Sequence, residues 1–297
     1  MHVYFASINS GSNGNCYYIG NNREAVLVDV GISCREVEKR MKRLGLSMRK
    51  VKAIFISHEH SDHIRGVPVL AKKYQIPVYI TEGTKAYSRT DFNGVYTLPF
   101  FSEQAVQIGE FTILPFAKLH DAYDPHSFLI TYKGVQIGVF TDIGSPCNNL
   151  IKYFSQCNAA FLEANYDEDL LERGHYPYYL KKRIRGGKGH LSNRQALALF
   201  TACKPSYMSH LLLSHLSKDN NCPDLVKELF TSQSESTEVI VASRYQESAV
   251  FCISCTDVHH AALQEGVEID LGKYASVYKE QQEVPTSIFG KQLQLFE

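Results

Sequence analysis

Within six residues the chain reads His58-Glu59-His60-Ser61-Asp62-His63. Three imidazoles and the aspartate Asp62 this close are the ligand types that Zn²⁺ takes, and that Mn²⁺ or Fe also accept. They directly follow VKAIFIS (51–57), an apolar run of strand length. A strand ending in a tight loop can turn alternate side chains toward one point, so His58 and His60 can reach one cation. Asp62 and His63, at the start of a following helix, can reach a second. Two cations need further ligands, and three candidates sit in the same kind of place. His120 follows ILPFAKL, Asp142 follows VQIGVFT and His215 follows SHLLLS. Each ends an apolar strand, where open α/β sheets gather their chemistry.

The elements that must hold these residues can be read from periodicity. VYFASI, the loop NSGSNGN (9–15), CYYIG, the turn Asn21-Asn22 and AVLVDVG alternate strands with turns, which suggests hairpins. Ser33 and Glu36 fit a capping box, and Val37, Met41 and Leu44 repeat at helical spacing, so a helix is expected over about 33–44. A helix opening at Asp62 carries Val67, Leu70 and Ala71 on one stripe, and PVYIT (77–81) is a strand. From 95 to 145 VYTLPF, FTILPFAKL, HSFLITYKG and VQIGVFTD read as strands, and AAFLEAN (159–165) adds another. A helix at 192–202 with Ser192 as its cap, the strand MSHLLLSH, the helix PDLVKELF and the strand TEVIVAS complete the pattern. The class is α/β, with sheets covered by helices on their outer faces. After residue 256 periodicity fades, which predicts one domain over 1–256 and a tail or linker over 257–297.

Composition narrows the function. The 297 residues are 44% hydrophobic, and 31 basic side chains balance 31 acidic ones. That excludes a strongly basic nucleic-acid coat but not a local patch. No run reaches the roughly 18 apolar residues of a membrane helix. MHVYFASINS lacks the features of a signal peptide, and eight scattered cysteines read as reduced thiols of a cytoplasmic protein. The pair Cys252 and Cys255 has no second pair to make a zinc ribbon and reads as strand filler. The basic residues between Arg35 and Lys52 read as a solvated helix face, and His126 and His175 as structural. The motifs carry no signal for oligomeric state.

HEHSDH has the form H-x-H-x-D-H and resembles the metallo-β-lactamase fold superfamily. The resemblance implies an αββα sandwich over about residues 1–255. It implies that His58, His60 and His120 hold one divalent cation, that Asp62, His63 and His215 hold another, and that Asp142 bridges them. Zn²⁺ is the first expectation and Mn²⁺ the second. Asp29 in LVDVG matches the superfamily's early supporting aspartate. His60 stands where flavodiiron oxidoreductases carry Glu, which favours a hydrolase.

SGSNGNCYYI, LEANYD (162–167) and GHLSN (189–193) are similar to the YycJ (WalJ) branch, nuclease-like relatives of ribonucleases J and Z. By that resemblance Glu163, Asn165, Lys188, Gly189, Ser192 and Asn193 stand near a scissile phosphate, with Asp62, Asp142 and His190 catalytic. Tyr166 departs from the His found in many relatives. Physically, His190 precedes a helix N-terminus, where an anion is favoured and a proton can be delivered. The stretch KKRIRGGK upstream is basic and glycine-rich, which suits a phosphate backbone. At the C-terminus QLQLF resembles the peptide by which bacterial repair proteins bind the sliding clamp, with Gln292, Leu293, Leu295 and Phe296 as its contacts. The expectation is a two-cation phosphodiesterase, a DNA exonuclease of mismatch-repair-like function recruited by the clamp, with RNA as the other possible substrate. The rival readings are a hydrolase of a small thioester or lactone, and a metal- and clamp-binding adaptor without catalysis.

Overall fold

Alternation along the first strands sorts side chains into two layers. Phe5, Tyr17, Ile19, Val26 and Val28 point one way, and Ala6, Ile8, Tyr18 and Leu27 the other; all are buried. A strand with both faces buried needs a neighbour on each side, and the computed structural model, which describes residues 1–256 and 271–283, supplies them.

The strands in chain order are β1 (His2–Asn9), β2 (Cys16–Gly20), β3 (Ala25–Val28), β4 (Val51–Phe55), β5 (Val78–Tyr79), β6 (Thr97–Leu98), β7 (Val106–Ile108), β8 (Phe111–Ala117), β9 (His126–Tyr132), β10 (Val135–Phe140), β11 (Ala159–Glu163), β12 (His210–Ser214), β13 (Glu238–Val241) and β14 (Phe251–Ser254). They form two seven-stranded sheets, ordered β14-β1-β2-β3-β4-β5-β6 and β13-β12-β11-β10-β9-β8-β7. Each sheet is antiparallel at one end and parallel at the other: β3 to β6 run parallel, as do β10 to β13.

Between the sheets lies an aromatic core that includes Phe5, Tyr17, Phe55, Phe111, Phe128 and Phe161. Outside the first sheet pack α1 (Cys34–Arg43), α2 (Ser61–Ile64) and α3 (Val67–Tyr74), through Val37, Met41, Ile64, Val67 and Leu70. α4 (Glu82–Tyr87) follows β5. Outside the second sheet, α5 (Asn148–Phe154), α8 (Asn193–Cys203) and α9 (Pro223–Thr231) bury Leu150, Phe154, Leu199, Phe200 and Phe230. Two short helices, α6 (Glu168–Arg173) and α7 (Tyr178–Ile184), stand between β11 and α8. The layers are helix, sheet, sheet, helix: the expected αββα sandwich.

Several local expectations need correction. The basic stretch 35–52 is not one helix: α1 ends at Arg43, a 3₁₀ turn spans Met48–Lys50, and β4 begins at Val51. Nor is it wholly a solvated face, since Arg40 is buried and donates from Nη1 to Ile8 O and Asn9 Oδ1. Ser33 accepts from Glu36 N, but the Glu36 carboxylate pairs with Lys39 and Arg40. The full reciprocal capping box is formed by Ser192 and Gln195 at α8. The helix expected from Asp62 is two helices, parted at Gly66, where a Cβ would lie 1.9 Å from Ile32 O. The segment expected to lack regular structure contains α10 (Leu271–Glu283), whose Tyr274 packs against the outer core of the second sheet. The peptide Gln292–Phe296 lies outside the described residues.

Candidate metal centre

The parallel strands of both sheets end at one edge, and the ligand-type residues sit on those ends. His58 follows β4, His120 follows β8, Asp142 follows β10, Glu163 closes β11 and His215 follows β12. The chain turns sharply there: Asp29, Asp142 and His215 have φ of 60°, 54° and 58°. Left-handed backbone is uncommon outside glycine, though Asp, Asn and His enter it more readily than other residues. Gly31 lets the β3 loop pass Asp62 closely, since a Cβ there would stand 1.6 Å from Asp62 O.

Four close groupings of ligand-type atoms result among the described residues, one of them Asp142, Glu163, His190 and His215, and two others match the expected sets. In the first expected set, ligand atoms of His58, His60 and His120 lie within 4.8 Å of one another. His60 Nδ1 is 3.0 Å from His58 Nε2 and 3.4 Å from His120 Nε2. Nitrogens on a tetrahedral Zn²⁺ at about 2.0–2.1 Å would stand about 3.3 Å apart. In the second set, Asp62 Oδ2 is 3.5 Å from both His63 Nε2 and His215 Nε2. Asp142 faces both sets: Oδ2 is 3.0 Å from His63 Nε2 and Oδ1 is 3.7 Å from His120 Nε2. Asp142 Oδ2 and His215 Nε2 are buried without hydrogen-bond partners among the described residues. Each has only an ion-pair contact, to His63 and Asp62 respectively; buried polar atoms without a hydrogen bond are costly, and a divalent cation satisfies both. The donor set therefore fits divalent cations.

The far nitrogen of four imidazoles is held by protein, which fixes the nitrogen left for a cation. His58 Nδ1 is 2.9 Å from Ser57 Oγ, which itself donates to Asp29 Oδ2. His63 Nδ1 is 2.7 Å from Asp29 Oδ2, His120 Nδ1 is 3.0 Å from Gly189 O, and His215 Nδ1 is 2.8 Å from Glu163 Oε1.

The sets differ in charge. Burial pushes His58 well below its ordinary value, lowers His60 and takes His120 down to about 4. In the second set burial opposes charge but loses. Asp142, Asp29 and Asp62 hold His63 well above its ordinary value; Asp142, Asp62 and Glu163 lift His215 to about 10. Burial would likewise raise the acids, yet His63 and His215 keep Asp62 and Asp142 below the usual carboxylate range, and His190 and His215 bring Glu163 down to about 2.

The residues expected at substrate divide. Glu163 is fully buried, and its carboxylate accepts from Ile143 N and Leu191 N and bonds the Nδ1 atoms of His190 and His215. It is placed to position His190 and His215 rather than to touch a substrate. Ser192 is buried, caps α8 and donates to Glu168; Asn193 is buried against Asn221; Asn165 donates to His215 O. These three order the loop that carries His190. Tyr166 is buried and pairs its backbone with Ser192. His190 remains partly open, with Nδ1 on Glu163 and Nε2 left for a ligand. Gly189 is buried, while Lys188 is exposed. The basic, glycine-rich stretch begins as α7, none of whose side chains is fully buried. Arg183 of α7 pairs with Asp121, beside His120.

Two site residues escaped the sequence reading. Asn15 takes Gly11 N and Tyr17 Oη on its Oδ1, which aims Nδ2 at Asp62 Oδ2 and His63 Nε2, at 3.3 and 3.1 Å. The signal was its place at the end of the NSGSNGN loop. Lys118 is buried beneath the histidines and donates to Thr141 O; burial lowers its pKa against the pull of Asp142 and Asp29.

Such a centre, on an αββα sandwich, is of the metallo-β-lactamase kind. The family model described as the metallo-β-lactamase superfamily matches residues 10–169, and the chain belongs to that superfamily. Within it, the chain belongs with YycJ and WalJ. It is 32% identical over 230 residues to exodeoxyribonuclease YycJ of Bacillus anthracis, spanning 76% of this chain and 87% of that protein. Exodeoxyribonuclease WalJ of Streptococcus pneumoniae serotype 2 is 30% identical over 234 residues, 77% of this chain and 87% of that one. Among solved structures, the metallo-β-lactamase fold protein YhfI of Bacillus subtilis covers 85% of this chain and all of its own, with a TM-score of 0.67 at 18% identity, a likeness of fold.

Proposed function

We propose that this protein is a two-cation exodeoxyribonuclease of DNA repair, mismatch-repair-like, working in the cytoplasm. The observation that carries the reading is the pair of ligand sets facing a shared Asp142, beside a His190 held by Glu163. Family membership and this donor set support a metal-dependent hydrolase. The exodeoxyribonuclease relatives support DNA as the substrate. No helix among the described residues is long and apolar enough to cross a membrane.

His58, His60 and His120 would hold one cation and Asp62, His63 and His215 the other, with Asp142 reaching both; Zn²⁺ suits these donors best and Mn²⁺ next. Such cations supply Lewis acidity toward phosphoryl oxygens and make water acidic enough to attack at neutral pH. Asp62 orients the attacking water. Glu163 fixes the tautomer and direction of His190, whose Nε2 delivers a proton to the departing oxygen. Lys188 and the exposed cations of α7 meet the phosphate backbone. The peptide Gln292, Leu293, Leu295 and Phe296 recruits the enzyme to a sliding clamp.

End-labelled DNA and RNA, offered to metal-stripped protein with Zn²⁺ or Mn²⁺ restored, test the reading. Stepwise loss from a DNA end that requires metal is expected. Turnover of thioesters or lactones with DNA untouched would overturn it.

A further inference from the structure

A cavity of about 210 Å³ opens beside the second ligand set, where β12 and β13 end. Among its lining residues are Ser10, Ser217, Lys218, Asn221, Arg244 and Tyr245. It adjoins the centre directly: Ser10 Oγ accepts the backbone N–H of His215, and Leu216 forms part of the wall. Arg244 is pinned at its base. Its carbonyl accepts from Asn13 Nδ2 and its Nη2 donates to Ser12 Oγ. Yet Nη1 is buried and has no hydrogen-bond partner among the described residues. A buried guanidinium N–H without an acceptor is costly, and an anion relieves it. Lys218 is exposed at the same cavity, and the adjacent Asp219 carboxylate accepts from Tyr176 Oη. Tyr245, 72% exposed, offers a ring face.

Ser10 and Asn221 are engaged within the protein, which leaves two cations, the Ser217 hydroxyl and an open aromatic ring, the chemistry that meets a phosphorylated nucleotide. We infer that this cavity is a subsite for the terminal nucleotide of the strand, holding its phosphate on Arg244 and Lys218 and its base against Tyr245. The inference rests on the nuclease reading and deepens it. A cavity beside the second ligand set gives a strand end a place to sit, which suits an enzyme acting at ends.

Calorimetric binding to the metal-loaded full chain tests this, with thymidine 5′-monophosphate, thymidine 3′-monophosphate and thymidine as probes. One monophosphate should bind roughly 10- to 100-fold tighter than thymidine, the range of a charge-assisted phosphate contact; which one does so identifies the strand end held. Arg244→Met should abolish that advantage, and Lys218→Ala, at an exposed position that folding does not need, should reduce it several-fold. Equal binding of thymidine and both monophosphates would overturn the subsite, as would variants that bind like the wild type. Wild-type protein inert on end-labelled DNA, but with phosphate- and Arg244-dependent nucleotide binding, would sink the nuclease reading and leave the subsite standing.

Discussion

The two ligand sets stand side by side and are built oppositely. The first is three imidazoles that burial keeps neutral, ready to donate lone pairs. The second mixes Asp62 and Asp142 with His63 and His215, which the surrounding acids keep protonated when no cation is present. Where burial outweighs the nearby acids, as in the first set, the neutral imidazole is favoured; where several acids converge, as in the second, the charged one is. A cation entering the first set displaces little, whereas one entering the second must displace protons. Ion identity need not differ between the sets for their behaviour to differ.

The largest expected effect is from His58→Ala with His60→Ala. Metal content should fall from about two ions per chain to about one, and phosphodiester turnover by at least about 10³-fold, the loss of a Lewis acid worth several kcal/mol. Elemental analysis showing two ions retained would refute the division into sets. Next, His190→Ala should lower turnover by roughly 10²–10⁴-fold with metal content unchanged. Loss of metal would instead make His190 a ligand. Glu163→Gln should weaken the second cation by roughly 10–100-fold through His215, and leave the first near its wild-type affinity. Equal weakening of both would erase the contrast.

The smallest effect is in pH. Metal uptake by the second set should release more protons than uptake by the first, and lowering pH should empty the second set first. Calorimetry in buffers of different ionisation enthalpy reads this, and identical proton counts would break the comparison. In metal-free protein the same groups set a stability window. Glu163, lowered from 4.5 to about 2, contributes fully above about 4.5 and loses its contribution as pH falls toward 2. His215, raised from 6.5 to about 10, contributes fully below about 6.5 and loses its contribution as pH rises through 10. His120, lowered from 6.5 to about 4, contributes fully above about 6.5 and loses its contribution as pH falls toward 4. Melting of the stripped protein should therefore peak near about pH 6.5 and fall on either side.

The grouping of these histidines and aspartates was legible because strand ends announce themselves: an apolar run followed by His or Asp marks both the element and its tip. The sandwich was legible in outline for the same reason. What escaped was what periodicity does not encode. Resemblance places Glu163 near a scissile phosphate, and its positioning role appears only when Leu191 and His215 arrive from distant sequence to share it. Arg40 looked solvated because its partners lie at Ile8 and Asn9, on another element. Helix α10 carries only a narrow apolar stripe, and its Tyr274 and Tyr278 gain meaning from the outer core and from Glu168. α7 fully buries no residue, and its half-buried apolar pair, Leu180 and Ile184, is too short a stripe to reveal it.

The left-handed turns at Asp29, Asp142 and His215 decide how this protein can be mutated informatively. Alanine at any of them changes two quantities at once, the ligand chemistry and the conformational preference of the chain. A β-branched replacement adds roughly 1–2 kcal/mol or more of backbone strain to whatever the lost side chain did. Asparagine keeps the turn while altering the donor. Asp142→Asn and His215→Asn therefore isolate chemistry from folding, and a scan that uses only alanine would credit the metal centre with losses that belong to the backbone.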